Sequence, residues 1–422
     1  MRVVVVALGK IGLPLAAQIA RHGHQVIGCD VNPDVVQTVN EGRAPFPGET
    51  GLEEALAELV PKGALRASTD TTAAVAEGAE LVIAVPPLVV DDQARPDYRI
   101  LDAVIEDIGR GLGKGTVVSV ETTLPVHTTR SRLAPALSKV SGLEAERDFF
   151  LIHSPERVYS GRIFKDLEDY PKLVGGLSAE GEDRAAELYR SFLRAPVWRM
   201  GSAEAAELTK LAETTYRDVN IALANEFAMF ADRVGLDVNR VIDAANSQPF
   251  SHIHRPGVAV GGHCIPVYPR FYLAGDQSAK LPAAAREVNA AMPAYAVDLL
   301  AEALGGDLEG KNVLILGVAY RGGVKEIAFS GALDLRAQLE RRGAVALATD
   351  PLYSSKELTE LGFRAWEGER VSGAILQADH DEYRALEPGK LQGLAAIIDG
   401  RGVLDLAKWA DAGILARRIG QP

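Results

Sequence analysis

Cysteine is almost missing from this chain. Only Cys29 and Cys264 occur in 422 residues, far apart in sequence. Two such residues cannot build a disulfide framework, so a reducing compartment is expected. No apolar run approaches the ~18 residues that cross a bilayer, which leaves no candidate membrane span. Met1-Arg2 passes straight into Val3–Ala7 and then a turn, too short for the apolar core of a signal peptide, so a cytoplasmic protein is expected. An excess of basic residues is also lacking. Lys and Arg number 45 against 57 Asp and Glu, for a net charge of -12. That balance argues against nucleic acid or an anionic membrane as the main partner. There is no low-complexity tract and no short repeat, and no metal is expected.

What is present is ordinary for a soluble enzyme. A hydrophobic content of 47% with 24% charged residues excludes wholesale disorder. The length suits two or three domains, each with its own core. Over the first ~200 residues short β-branched runs alternate with helical patterns, as in a parallel α/β sheet. Val3–Val6, Gln25–Cys29, Leu81–Val85, Thr116–Val120 and Phe149–Ile152 read as strands, apolar enough for burial on both faces. From Ser202 the texture becomes helical, with a long helix from Glu204 to about Val234 stopped by Gly235, and a shorter one over Asp237–Ala245. A Pro/Gly-rich loop, Pro249–Pro269, is long for a compact domain and reads as functional. A helix over Ala283–Leu304 follows. Asn312–Gly317 then restarts an α/β pattern with strands at Val345–Thr349, Gly373–Gln377 and Ala395–Ile398. The expected fold is α/β: two Rossmann-like doubly wound domains, residues 1–200 and 306–422, joined by a central helical segment and loop, residues 201–305.

Ala7-Leu8-Gly9-Lys10-Ile11-Gly12 follows a strand and opens a helix, the context that a dinucleotide-binding turn requires. Gly9 lets the backbone approach a pyrophosphate at the positive end of the helix dipole, and Gly12 lets helix and strand pack closely. Ala7 stands where the first glycine of the fingerprint usually falls. Asp30 ends the second strand and is suited to accept the ribose hydroxyls; no arginine follows it immediately, which favours NAD over NADP. Val85, Pro86 and Thr122 complete the candidate cofactor set. Cys29, inside a strand, reads as a small buried hydrophobe.

Gly261-Gly262-His263-Cys264-Ile265-Pro266 places the second cysteine between glycines and a proline. A cysteine held opposite a nicotinamide can trap an aldehyde as a thiohemiacetal, which loses a second hydride to become a thioester. This loop resembles the active-site loop of the UDP-glucose/GDP-mannose dehydrogenase family. The resemblance extends over nearly the whole chain: Gly9–Ala16, Glu121–Pro125, Ser154-Pro155-Glu156-Arg157, Gly161-Arg162, Lys172–Gly176, Glu207–Lys210, Tyr216–Asn220, Asn225-Glu226, Asp379–Tyr383 and Asp399-Gly400-Arg401. In wording it is nearest to the branch that oxidises UDP-N-acetylhexosamines. The resemblance implies a homodimer formed through the central helix, and a two-step NAD-dependent oxidation of a sugar CH2OH to a carboxylate. It makes Lys210 the oxyanion stabiliser, Cys264 the nucleophile, Glu156 a carboxylate near the reacting carbon or its water, and Thr123 a partner of that water.

Several family positions are altered. Thr214 stands where the family has the asparagine that shares the oxyanion. Tyr268 stands where it has the aspartate that orients the lysine and the attacking water. Phe250 replaces an arginine, and Ala328-Phe329-Ser330-Gly331 replaces Arg-Glu-Ser-Pro. These changes weaken thioester hydrolysis and the charged grip on a nucleotide diphosphate. Three readings follow. The first is a nucleotide-sugar 6-dehydrogenase. The second is a redox-neutral NAD-dependent dehydratase or epimerase acting on a nucleoside or sugar, with Tyr268 or Glu156 as acid/base. The third is a non-catalytic binding protein, disfavoured because Lys210, Cys264 and Glu156 remain.

Overall fold

Runs of β-branched residues become the central strands, because such side chains pack well on a pleated surface covered on both sides. The computed structural model describes residues 1–159 and 161–421. By its contacts the chain divides into two units, Met1–Glu213 with Arg270–Gly275, and Thr214–Pro269 with Asp276–Pro422.

The first unit is built on ten strands: β1 (Arg2–Val6), β2 (Gln25–Cys29), β3 (Leu65–Ser68), β4 (Leu81–Ala84), β5 (Val89–Val90), β6 (Pro96–Asp97), β7 (Val117–Val120), β8 (Phe150–His153), β9 (Lys172–Gly176) and β10 (Val197–Arg199). Eight of them form one sheet in the order β10-β9-β8-β7-β4-β1-β2-β3, and β5 and β6 pair as a separate ribbon. Val4 faces Ile27 on one side and Val82 on the other, both in parallel register. One pairing departs from the parallel expectation: β9 runs antiparallel to β8, with His153 opposite Gly175, and β10 follows β9 in the reversed direction. The helix Gly12–Arg21 buries Leu13, Leu15 and Ile19 against Val3 and Val5, at the centre of the core.

The second unit repeats the pattern with β11 (Asn312–Leu316), β12 (Val345–Thr349), β13 (Arg364–Ala365), β14 (Gly373–Leu376), β15 (Ala396–Asp399) and β16 (Leu415–Arg418). Their order, β13-β12-β11-β14-β15-β16, is the doubly wound arrangement, parallel throughout. Two Rossmann-type sheets with a helical region between them in sequence match the expectation.

The long helix spans Ala203–Val234. It starts at Ser202, whose hydroxyl accepts the Ala205 N–H at 3.1 Å, and stops at Gly235, which takes a φ of +71°. The loop expected to end at Pro269 is shorter than its composition suggested, because Tyr268 already begins the helix Tyr268–Gly275. Short strands without a strong apolar pattern, β3, β10 and β13, had no sequence signal.

Within the second unit, polar side chains tie the long helix to the helix Lys280–Ala303. The Arg286 guanidinium donates to the fully buried Asp218 (Nε to Oδ2, 2.6 Å), and Asn289 Nδ2 donates to Asp218 Oδ1 at 2.8 Å. Asn225 donates to Asn289 at 2.9 Å and accepts the Gly257 N–H at 2.9 Å. Asp218→Ala leaves the mostly buried Arg286 charge without its carboxylate, and urea denaturation is expected to read a loss of about 3–5 kcal/mol.

Candidate active site

Strand order reverses between β1 and β4 in the first unit, and the crevice at such a switch point is where α/β sheets bind ligands. A Cβ on Gly12 would fall 2.0 Å from the Ala7 carbonyl oxygen, so any side chain there would force the helix off the strand. Gly9 has nothing within 4 Å of its missing Cβ, which leaves the backbone open on that side. Ala7 turns with a φ of +76°. That left-handed conformation costs an L-residue roughly 1–2 kcal/mol, which is why glycine is the usual occupant. Asp30 is fixed by two backbone donors: Oδ2 accepts Leu8 N–H at 2.8 Å and Oδ1 accepts Asn32 N–H at 2.9 Å. A closely packed helix start, an open glycine and an anchored acid at the end of β2 fit a dinucleotide. Lys10 and Ile11 complete the turn. Cys29 lies buried beside it, and burial pushes its thiol up to about 12, so it is inert.

The next strand ends carry the remaining predicted residues of this unit. Val85 N–H donates to Val6 O at 3.0 Å, Glu121 N–H to Ala84 O at 2.9 Å, and Glu156 N–H to Glu121 O at 3.2 Å. The Thr122 hydroxyl donates to the Pro86 carbonyl, and Thr123 beside it is buried. Gly9–Gly12, Val85-Pro86, Thr122-Thr123 and Glu156 therefore follow one another along the edge formed by β1, β4, β7 and β8. The Glu156 carboxylate is held from two sides. Oε1 accepts the Arg157 N–H at 2.6 Å and Oε2 accepts Lys172 Nζ at 2.9 Å. Burial works to raise the Glu156 pKa, but the Lys172 charge and these hydrogen bonds prevail and lower it.

Lys172 also donates to Glu121 Oε2 at 2.6 Å, and the Tyr189 hydroxyl donates to Glu121 Oε1. None of these three was assigned a role from sequence. The available signal was a charge at each end of otherwise apolar segments, Glu121 after β7 and Lys172 opening β9, since buried charges require partners.

Lys210 and Thr214 lie one turn apart on the long helix, both buried. Glu207, on the turn before, binds this end of the helix to the segment after β7. Its carboxylate accepts the His127 N–H (2.7 Å), the Thr129 N–H (2.8 Å) and the Thr129 hydroxyl (2.6 Å). In the second unit Cys264 is exposed. Gly262 takes a φ of +89°, and a Cβ there would come within 3.0 Å of the Tyr320 ring, so only glycine suits this loop. The rewritten segment before Gly331 supports it: Gly262 N–H donates to Ala328 O at 2.9 Å, and His263 pairs with Glu326. Tyr268 N–H donates to Cys264 O at 2.9 Å, which sets the tyrosine one helical turn after the cysteine. Phe250 stands almost fully exposed, on a loop pinned by Asn246 to Ile253 and by Asn220 to His252 and His254.

Two Rossmann-type sheets, a glycine turn with its acid, and an ordered row of strand-end residues define an NAD-dependent dehydrogenase class. Three models of the UDP-glucose/GDP-mannose dehydrogenase family match the chain: the NAD binding domain over residues 1–193, the central domain over 204–291 and the UDP binding domain over 314–406. The chain belongs to this family. It is 34% identical to a UDP-N-acetyl-D-mannosamine dehydrogenase of Pyrococcus horikoshii, across 100% of this chain and 99% of that one. An NDP-N-acetyl-D-galactosaminuronic acid dehydrogenase of Ralstonia nicotianae is 33% identical, over 94% and 95%. Among solved structures, the UDP-D-ManNAc dehydrogenase of Pyrococcus horikoshii superimposes with a TM-score of 0.90 at 33% identity, covering 100% of this chain and 99% of that one. A UDP-glucose dehydrogenase of Pyrobaculum islandicum gives 0.89 at 27%, covering 100% and 98%. Among the described residues no helix is long and apolar enough to cross a membrane, and no cluster could hold a metal ion.

Asp30→Ala removes an acceptor from the end of β2. NAD affinity is expected to fall by about 1–3 kcal/mol in calorimetry, with no gain for NADP.

Proposed function

We propose that this enzyme is a UDP-N-acetylhexosamine 6-dehydrogenase, oxidising the sugar CH2OH to a carboxylate with two NAD consumed. The observation that carries the reading is the row of strand ends from Val85 through Glu121 to Glu156 beside the switch point, in a chain that matches a UDP-N-acetyl-D-mannosamine dehydrogenase along its whole length. NAD, when bound, supplies a hydride acceptor. Gly9, Lys10, Ile11 and Gly12 would hold its pyrophosphate, Asp30 the ribose, and Val85, Pro86 and Thr122 the nicotinamide end. The Lys210 ammonium would stabilise the alkoxide oxygen as the C–H bond weakens. Cys264 Sγ would add to the aldehyde carbon and be released as thiol when water cleaves the thioester. Glu156 would accept a proton from that water, which Thr123 orients.

Tyr268 and Thr214 set the limit on this cycle. Tyr268 brings a hydroxyl that can donate a hydrogen bond, where the family's aspartate brings a carboxylate that accepts. Thr214 has a shorter reach than the family's asparagine. Hydrolysis of the thioester is therefore the slow step. With NAD and UDP-N-acetylmannosamine, stopped-flow absorbance is expected to show a burst of NADH, then slow turnover reaching two NADH per uronic acid. Cys264→Ala should abolish the second NADH. The same two altered residues support a second reading, a redox-neutral dehydration or epimerisation, although the relatives above are all called dehydrogenases. No net NADH and a product lighter by one water would establish that reading instead.

The working form is a homodimer. Tyr216, Leu223, Phe227, Phe230 and Val234 recur at helical spacing along one side of the long helix, each substantially exposed. An apolar stripe of that length on a folded protein is an interface, and an identical stripe on a second copy is its natural cover. Phe227→Asp combined with Phe230→Asp is expected to convert a dimer to a monomer in sedimentation velocity. A wild-type monomer at micromolar concentration would refute the assignment.

A further inference from the structure

We propose that Lys172, gripped by Glu121 and Glu156 from adjacent strand ends, is the positioning residue that fixes the Glu156 carboxylate, and that Glu121 is the member of the pair that carries the exchangeable proton. The inference rests on the reading of Glu156 as the carboxylate that faces substrate or water.

The arrangement depends on the one antiparallel pairing in the sheet. Glu121 and Glu156 follow β7 and β8 at their C-terminal ends. Lys172 is the first residue of β9, and only because β9 runs against β8 does its start lie at that same edge. A parallel strand would have carried the ammonium to the opposite edge. Lys172 is 5% exposed, and its Nζ donates to Glu121 Oε2 at 2.6 Å and to Glu156 Oε2 at 2.9 Å, with the Tyr189 ring centroid 5.2 Å away.

Two carboxylates and one ammonium, nearly removed from water, hold one negative charge too many if both acids ionise. Such a site retains a proton. The two acids are not equivalent. The Glu156 side chain is 12% exposed and has a backbone N–H on its second oxygen. The Glu121 side chain is fully buried, its second oxygen accepts the Tyr189 hydroxyl, and it also hydrogen-bonds to Glu156. Burial, reinforced by the Glu156 charge and only partly offset by Lys172, pushes Glu121 up to about 7. Burial works to lower the Lys172 pKa, but both carboxylates outweigh it and raise it, so the lysine stays charged. Burial raises Tyr189 well above its ordinary range, so it keeps its proton. The nearby His153 on β8 is held neutral, pushed down to about 3 by burial.

A hydrogen-bond chain accommodates both protonation states of Glu121. Ser119 Oγ and Tyr189 OH are 2.7 Å apart, and either can be the donor. When Glu121 is ionised the tyrosine donates to it. When Glu121 is protonated it donates to the tyrosine oxygen, and the tyrosine turns its hydrogen to Ser119. Lys172 remains between the acids in both states. Below the Glu121 titration the ammonium serves Glu156 undivided, and above it two carboxylates compete for the same charge.

Infrared difference spectra of the unliganded protein, recorded across neutral pH, test the proton assignment without any substrate. Wild type should show a protonated-carboxyl band that disappears as pH rises through neutrality, and Glu156→Gln, which removes the excess negative charge, should keep the band but lose it at lower pH. Glu121→Gln should lack it, and Lys172→Met should gain a second band. A neutral-pH band that survives Glu121→Gln puts the proton on Glu156 and overturns the proposal. Turnover with UDP-N-acetylmannosamine tests the positioning. Lys172→Met should lose about 100-fold in kcat, as expected when a reacting group shifts by roughly an ångström, with NAD affinity unchanged. Lys172→Arg should restore most of that loss, and Glu121→Gln should remove the wild-type step in kcat/KM near pH 7. If Lys172→Met does not fold, Lys172→Arg and the isosteric Glu121→Gln carry the test. Full activity in Lys172→Met, or an unchanged pH step in Glu121→Gln, overturns the positioning role. Absence of turnover from wild type, with the infrared bands as expected, would fail the dehydrogenase reading and uphold the carboxyl assignment.

Discussion

Parallel strands carry all their C-terminal ends to one edge of a sheet, and the chemistry of this enzyme depends on that constraint. In the first unit β1, β4, β7 and β8 run side by side, and the residues that follow them are bound in a row by backbone hydrogen bonds from Val85 to Val6, from Glu121 to Ala84 and from Glu156 to Glu121. Residues about 150 positions apart in sequence thus share one rim. The order reversal at β1 and β4 opens the crevice where a dinucleotide fits, and the Gly12–Ala7 contact holds the helix end against it. The first link is sequence: β-branched runs form buried strands. Packing then sets the row, and the row makes the chemistry available.

The antiparallel pairing of β8 with β9 adds what a wholly parallel sheet could not. It returns the start of β9 to the active edge with a lysine on it. A buried ammonium is tolerated only among carboxylates, and the two it finds are the acids ending the neighbouring strands. The electrostatics of Glu156 therefore belong to a cluster drawn from three strands and a helix.

The altered family positions divide along the same physical lines. Gly9, Gly12, Asp30, Thr123, Glu156, Lys210 and Cys264 keep the residue types that the proposed hydride-transfer and thioester steps would use. Thr214, Tyr268, Phe250 and Ala328 change the charge or reach of groups around them. Ala328 nonetheless retains a task through its backbone, accepting the Gly262 N–H below the cysteine loop. A side-chain function can be lost while a main-chain contact is kept, because the two depend on different atoms.

Much was legible in the sequence where local rules suffice. The strand-turn-helix at Val3–Arg21, the strands at Gln25–Cys29 and Val345–Thr349 and the long helix ending at Gly235 follow from residue pattern, since side-chain periodicity and glycine stops act over a few residues. The motifs around Lys210 and Cys264 were legible through their resemblance to a family, not through local propensity. Only the tertiary structure decided the direction of β9, the left-handed turn at Ala7 and the gathering of Glu121, Glu156, Lys172 and Tyr189 into one buried cluster. Those features are set by pairing between segments distant in sequence, and no local propensity encodes which buried charge will face which.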